Sequence, residues 1–460
     1  MNRTHRIAIV APFVVGMTAC AVGPGDGPPA DAARARCTAI VERALDDNRA
    51  IALLADLVAA APKRLSGSPG NADAVQWGLR TMRELGLQNV RAEPCLVPHW
   101  ERGVESAAIV GDAEPLRVTA LGGSIGTPAD GIEAEVVEVR SFEQLQQLGD
   151  AARGKLVFFN RPMPRALRAV GQAYGEAVPQ RGNGAIEAGK VGAVGALVRS
   201  VTTAIDALPH TGAMHYDPKV PQVPAAAIAT LDAERLHAAL QRGPVRVRLQ
   251  LGCRVLPDAP GANVVGELVG STFPERIVVV GGHLDAWDLG QGAHDDGAGC
   301  VHALEAVRLL QACGIRPPCT IRVVLYANEE NGLRGARAYA DAHRDELRQH
   351  IAALESDSGG FAPSGILTSL RDDAAAAMRA ALAPLQDHGA GTFLPGAGAC
   401  GADIGPLHDA GVPCFGLFVG SQRYFDHHHA ANDTLEAVDD RELALGAAVV
   451  AFTLSVLADG

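Results

Sequence analysis

The strongest constraint on this chain lies in its C-terminal half, where short apolar runs alternate with helical stretches. Ile277-Val-Val-Val280 and the runs at 320–326 and 351–354 are the apolar segments, and 299–310 is the clearest helix between them. Runs with little polar alternation are strands covered on both faces, and strands alternating with helices build a largely parallel sheet. The upstream chain is patterned differently. Arg64-Leu-Ser-Gly-Ser-Pro-Gly-Asn71 is a turn cluster leading into a helix pattern at 72–85 that Gly86 stops. Around 105–245, β-rich runs at 135–139, 155–159 and 193–198 alternate with Gly/Pro turns. The expected architecture is a three-layer α/β/α domain with a mixed, mostly parallel central sheet, made of 37–104 and 246–460. A β-rich domain, 105–245, is inserted between its halves.

With 460 residues, 48% hydrophobic and 20% charged, the chain has a globular balance, which excludes a disordered or fibrous protein. A net charge of −12 with no Lys/Arg cluster argues against nucleic acid as a partner. Arg3 and Arg6 precede an apolar stretch at 7–17, the pattern of an export signal. Met17-Thr-Ala-Cys20 reads as a lipobox with Cys20 acylated, and Ala19-Cys20-Ala21 also fits ordinary signal cleavage. The expectation is a signal peptide at 1–20, a flexible tether at 21–36, and a periplasmic or outer-membrane lipoprotein or a secreted protein. No later apolar run is expected to span a bilayer. Eight further cysteines permit disulfides, with Cys313/Cys319 and Cys400/Cys414 the local pairs, and equally permit buried thiols.

Chemistry-bearing residues follow the strands. His283, Asp285 and Asp295 come after 277–280, Glu329-Glu330 after 320–326, and Asp357 after 351–354; His427-His-His429 and Asp433 lie near the C-terminus. Taken singly, these are ordinary helix caps, turns and solvated loops. Together they place imidazoles and carboxylates at strand ends, where open α/β sheets form their sites, and that donor set suits zinc. A carboxylate can bridge two ions, and an acid beside a ligand, such as Glu329 next to Glu330, can move a proton. Gly122-Gly-Ser124-Ile-Gly126 matches a serine-hydrolase elbow, but Thr127-Pro128 follows it where a helix is required.

On Gly281-Gly-His283-Leu-Asp285-Ala-Trp287-Asp-Leu-Gly-Gln-Gly-Ala-His-Asp295-Asp-Gly297 the chain resembles the co-catalytic zinc aminopeptidase/carboxypeptidase family. Arg64–Asn71, Pro209-His-Thr-Gly212, Val223-Pro-Ala-Ala-Ala-Ile228 and Gly401-Ala-Asp-Ile-Gly-Pro-Leu407 add to the likeness, which covers nearly all of the chain beyond the signal. The resemblance implies two zinc ions bridged by Asp295, with His283 and Asp357 on one and Glu330 and His429 on the other. It implies Glu329 as general acid/base and Asp285 as the carboxylate orienting His283. His429 is selected because the family ligand stands four before an Asp-Thr pair, here Asp433-Thr434; His428 occupies the place where relatives carry an oxyanion-stabilising Tyr. The inserted region resembles a protease-associated domain, in which His210 is assigned to substrate binding, with a structural role in its Pro-His-Thr-Gly turn as the equal alternative; Trp287, in the first motif, is also assigned to substrate binding. The implied activity is hydrolysis of dipeptides or short peptides with free N-termini. The rivals are a carboxypeptidase, a non-catalytic binding protein on the same fold as in the transferrin receptor, and one-zinc glutaminyl-cyclase chemistry. Expected partners are a small peptide substrate, a membrane through lipidated Cys20, and a second copy as a homodimer.

Overall fold

The computed structural model describes residues 30–459. The expected signal peptide and Cys20 lie outside the described residues. Of the expected tether at 21–36, residues 21–29 lie outside the described residues and the rest is helical: α1 (Ala30–Asp46) is followed by α2 (Ala50–Ala60) and α3 (Pro69–Glu84). α3 starts earlier than its apolar period suggests because the Ser68 side chain accepts from Asn71 N and Pro69 occupies the first turn.

Two eight-stranded sheets organise the chain. The first contains β1 (Gln88–Glu101), β2 (Arg254–Leu268), β3 (Phe273–His283), β4 (Cys319–Tyr326), β5 (His350–Glu355), β6 (Pro363–Thr368), β7 (Thr392–Pro395) and β8 (Cys414–Val419). Their order is β1-β2-β4-β3-β5-β8-β6-β7. The central four, β4, β3, β5 and β8, are mutually parallel; β2, β6 and β7 run against them, and β1, antiparallel to β2, runs with them.

Period-two alternation assigns the strand residues to two cores. Val278 and Val280 of β3 and Ile321, Val323 and Leu325 of β4 pack with α3, with α5 (Ala298–Ala312) and with α6 (Asp440–Asp459). Val279, Val324 and Tyr326 point the other way, toward Tyr339 and Ile404. Each fully buried side chain of this size contributes about 1.5–3 kcal/mol, which is why these strands carry β-branched residues on both faces. α6 passes for a membrane-crossing helix by length and composition alone. It is a core helix here: 78% of its most apolar window is buried inside the molecule.

The second sheet lies between β1 and β2 in sequence. Its central strands Ile132–Val139, Leu156–Phe159, Gly195–Arg199 and Ala225–Ile228 are parallel, and Val118–Ala120 pairs antiparallel at one edge. Arg246–Leu251 was expected beyond the insertion, but it pairs with both Glu105–Ile109 and Ile132–Val139. The second sheet therefore runs on to Leu251, and the β1–β2 ribbon, from Glu101↔Arg254 upward, connects it to the first. The eight cysteines among the described residues are free thiols, so neither Cys313/Cys319 nor Cys400/Cys414 is bridged.

Candidate metal centre

The four neighbouring parallel strands β4, β3, β5 and β8 each end on the same edge, and each is followed by part of one cluster. His283 closes β3, Glu329 and Glu330 follow β4, Asp357 follows β5, and His427–His429 come after β8. Asp295 sits in the turn Ala293–Gly297 between β3 and α5.

This local path is held by a scaffold that sequence motifs mark without explaining. Arg64, fully buried, donates from Nε to Leu284 O at 2.7 Å, from Nη2 to Gly292 O at 2.7 Å, and from Nη1 to Gln291 O. It thereby fixes both ends of the loop joining His283 to Asp295. Asp433 accepts from His294 N at 2.7 Å and Asp295 N at 3.1 Å, setting the turn that presents Asp295. Asp296 accepts from His283 N at 3.1 Å and Gly299 N at 3.0 Å, joining the end of β3 to the start of α5. The approach is close enough to require glycine: a Cβ on Gly282 would lie 2.3 Å from Asp296 Oδ2, and one on Gly299 1.8 Å from Ser356 O.

The cluster divides around Asp295. Its Oδ1 lies 3.2 Å from His283 Nε2 and its Oδ2 3.3 Å from His429 Nε2. His283 Nε2 also faces Asp357 at 3.7 Å and Glu329 at 4.0 Å, and His429 Nε2 faces Glu330 at 3.0 Å. His428 Nε2 is 3.7 Å from Asp295 Oδ2, its ring stacked on His429 at 3.5 Å. His427 turns away, with Nδ1 toward Asn432 O.

The electrostatics are those of acids crowded around imidazoles. Burial raises the Asp295 carboxyl, but the imidazoles of His283 and His429 beside it outweigh burial and hold the group well below its usual range. Burial, then the Asp295 charge, pushes Glu330 up to about 7. Burial, with Asp357, Glu330 and Asp295 nearby, raises Glu329 well above an ordinary carboxylate. His429 is raised to about 10, because Glu330 and Asp295 overcome the effect of burial.

These residues fit a metal. Asp295 Oδ2 is buried without a hydrogen-bond partner. Donor atoms of His283, Asp295 and Glu330, and of Asp295, His428 and His429, lie within 4.8 Å of one another. Asp296 is also within reach of His283 and Asp357, but both of its oxygens are already engaged by backbone N–H groups. Buried charge of one sign calls for a counter-ion, and imidazole with carboxylate suits zinc.

Three expected roles are corrected. Asp285 orients His283 through its main-chain oxygen, 3.0 Å from Nδ1, whereas its carboxylate is 3.8 Å away. That carboxylate instead accepts from Ser66 Oγ at 2.9 Å and from Glu329 N at 3.0 Å, so it steadies Glu329. His210 bonds to His428 O, and Trp287 packs edge-on against His429, 5.8 Å between centroids. His210 is buried behind the histidine loop, Trp287 is buried beside the cluster with its main-chain N donating to Glu330 Oε1 at 3.2 Å, and neither lines the cavity above the cluster. That cavity, of about 360 Å³, is walled by Tyr174, Arg181, Tyr424 and Phe425, none of which the motifs indicate. Only the aromatic pair Tyr424-Phe425, separated from His427 by Asp426, offered a signal; Arg181 reaches the site from α4 (Pro179–Lys190), and its sequence surroundings carry none. Ser124 is spent on Ile125 O and Ala225 N, both at 2.9 Å, without an imidazole partner.

The model for Peptidase family M28 matches residues 263–454. Carboxypeptidase Q from Xenopus laevis is 40% identical over 414 residues, 90% of this chain and 86% of the relative. The crystal structure of a peptidase M28 precursor from Shewanella amazonensis superposes with a TM-score of 0.90 at 36% identity, covering 94% of this chain and 98% of that one. A zinc aminopeptidase from Bacillus subtilis shares the fold at 19% identity, TM-score 0.65, over 88% of this chain and 94% of its own.

Proposed function

This chain belongs to peptidase family M28, and from that premise we propose that it is an exported dizinc exopeptidase cleaving dipeptides and short peptides with free N-termini. The observation that carries the reading is the convergence of two imidazoles and several carboxylates on Asp295. Asp295 would bridge two zinc ions, with His283 and Asp357 completing one site and Glu330 and His429 the other. Zinc supplies Lewis acidity, lowering the pKa of a water and polarising a carbonyl.

The proton traffic falls to Glu329. It is 23% exposed, lines the cavity, and has its amide held by Asp285. Its carboxylate takes a proton from the attacking water and returns it to the departing amine. Burial among carboxylates raises its proton affinity, which suits the second half of that cycle. His428 lines the same cavity and is a side chain able to donate to the carbonyl oxygen as it gains charge. The aromatic walls, Tyr174, Tyr424 and Phe425, restrict water around the reacting bond. The second sheet is read as the inserted protease-associated-like domain. Export rests on residues 1–20 as signal peptide with Cys20 acylated, and the mass of the mature protein tests it.

A second reading, carboxypeptidase action on blocked or longer peptides, is favoured by Arg181. Its guanidinium lines the cavity, and among the described residues no carboxylate lies within ion-pair distance of it, which suits a substrate carboxylate. The test is one dipeptide in free and N-acetylated forms, assayed with zinc-loaded protein and with a chelator. Chelator-sensitive cleavage of the free form alone supports the first reading; equal cleavage of both supports the second; cleavage of neither removes both.

A further inference from the structure

His283 and His429 occupy equivalent places around Asp295, but they are supported from different parts of the molecule. His283 Nδ1 bonds to Asp285 O, within its own strand end. His429 Nδ1 has no such partner in the first sheet. It lies 3.3 Å from Thr211 O, in the Pro209-His-Thr-Gly212 turn of the second sheet, and 3.4 Å from Arg181 Nη1.

Further bonds link the two segments. Thr211 N donates to His429 O at 3.0 Å, and His210 Nδ1 lies 2.7 Å from His428 O. A carbonyl oxygen only accepts, so the His210 ring nitrogen carries its proton, and His429 Nδ1 carries one in its bond to Thr211 O, with Arg181 Nη1, itself only a donor, turned to the same oxygen at 3.5 Å. A neutral His429 protonated on Nδ1 has its lone pair on Nε2, the atom facing Glu330 and Asp295. Outer hydrogen bonds of this kind fix the tautomer and direction of a ligand imidazole.

The turn is itself rigidly mounted. His210 N donates to Ser200 Oγ at 2.9 Å, Thr211 Oγ1 to Ala120 O at 2.8 Å, and Gly122 N to Gly212 O at 2.9 Å. Gly212 has φ +132°, and a Cβ there would lie 2.5 Å from the Arg181 guanidinium carbon. Arg181 Nη1 is in turn 3.5 Å from Thr211 O, and Nη2 donates to Tyr174 Oη at 2.6 Å. His210 and Thr211 are 1% and 0% exposed, so neither is placed to touch substrate.

We propose that the His210–Gly212 turn is the outer support of one half of the metal centre: Thr211 O and the His210 ring hold His429 in the tautomer and direction that an ion shared with Glu330 requires. His210 is a positioning residue. The inference rests on the metallopeptidase reading above. It makes the two ion sites unequal, since only one depends on the second sheet.

The experiment is a stepwise zinc titration of the full chain against a competing chelator, with the melting temperature of the metal-free protein measured in parallel. His210→Leu, which cannot donate to His428 O, should weaken one of the two zinc ions by about 10–100-fold and leave the other unchanged. His210→Gln, which can donate, should recover part of the loss. Gly212→Ala, which displaces the turn without removing a ring, should weaken the same ion. A purely structural role would lower the metal-free melting temperature without separating the two affinities, and that result overturns the proposal. Two unchanged affinities in a folded His210→Leu protein overturn it as well. A wild-type chain that takes up no zinc defeats the metallopeptidase reading, and the inference with it.

Discussion

The two sheets invite comparison because each has a central run of four parallel strands. At the ends of the second sheet's strands, polar groups are satisfied by one another. Arg199 bonds to Glu234 at 2.6 Å and to Asn160 at 3.1 Å, and Asn160 to Glu138 at 2.7 Å. At the ends of the first sheet's strands, carboxylates crowd two imidazoles, and Asp295 Oδ2 is left without a partner. Parallel topology therefore supplies a place for a site, and an unsatisfied, buried group of like charges is what makes it one. The second sheet contributes by sending one turn across to the first.

The sharpest way to break this contrast is Asp295→Ala. It removes the group that faces both imidazoles, so zinc per chain and peptidase activity should both fall to background; elemental analysis showing full zinc would refute the bridging role. Glu329→Gln should keep its zinc yet lose about 10²–10⁴-fold in turnover. Retained turnover in that variant would move the proton-transfer role elsewhere.

A stability effect comes next. His302 is fully buried, and burial lowers its pKa from 6.5 to about 4. The unfolded chain then binds a proton that the folded one refuses, so this term is present in full above pH 6.5 and is lost as pH falls toward 4. The drop is worth about 3 kcal/mol at most. Urea unfolding at pH 7 and pH 4.5 should show His302→Gln losing less stability on acidification than the wild type. Ser66→Ala removes the hydroxyl bond to Asp285 and, through it, loosens Glu329. A fall of about 10-fold in kcat with KM nearly unchanged is expected, and a change confined to KM would contradict it. The smallest effect belongs to the second sheet's satisfied end. Glu234 is 55% exposed, so Glu234→Ala should cost no more than about 1 kcal/mol in thermal unfolding and leave catalysis alone.

Much of this contrast is legible in sequence, because strand ends are local. The runs at 277–280, 320–326 and 351–354 show where β3, β4 and β5 lie, and a residue one to three positions beyond a strand has little freedom in where it can go. The helix patterns at 72–85 and 299–310 appear as α3 and α5, each extended by its own cap or turn. What pattern reading misjudged is long-range. Arg246–Leu251 has the same alternation whichever sheet it joins, so only pairing with Glu105–Ile109 and Ile132–Val139 assigns it to the second. His210 and Trp287 carry residue types common at substrate contacts, and burial away from the cavity gives them another task.

The sequence by itself therefore determined the chemistry: which acids and imidazoles follow which strands, and a donor set suited to zinc. Tertiary structure alone decided how they are supported. Arg64 reaches a loop more than 200 positions away, Asp433 sets the turn of Asp295, and Thr211 meets His429 across the two sheets. The reason is physical. Strand direction and side-chain alternation are set by near neighbours along the chain. A buried hydrogen bond between distant segments forms only once packing has excluded water and brought both partners to bonding distance.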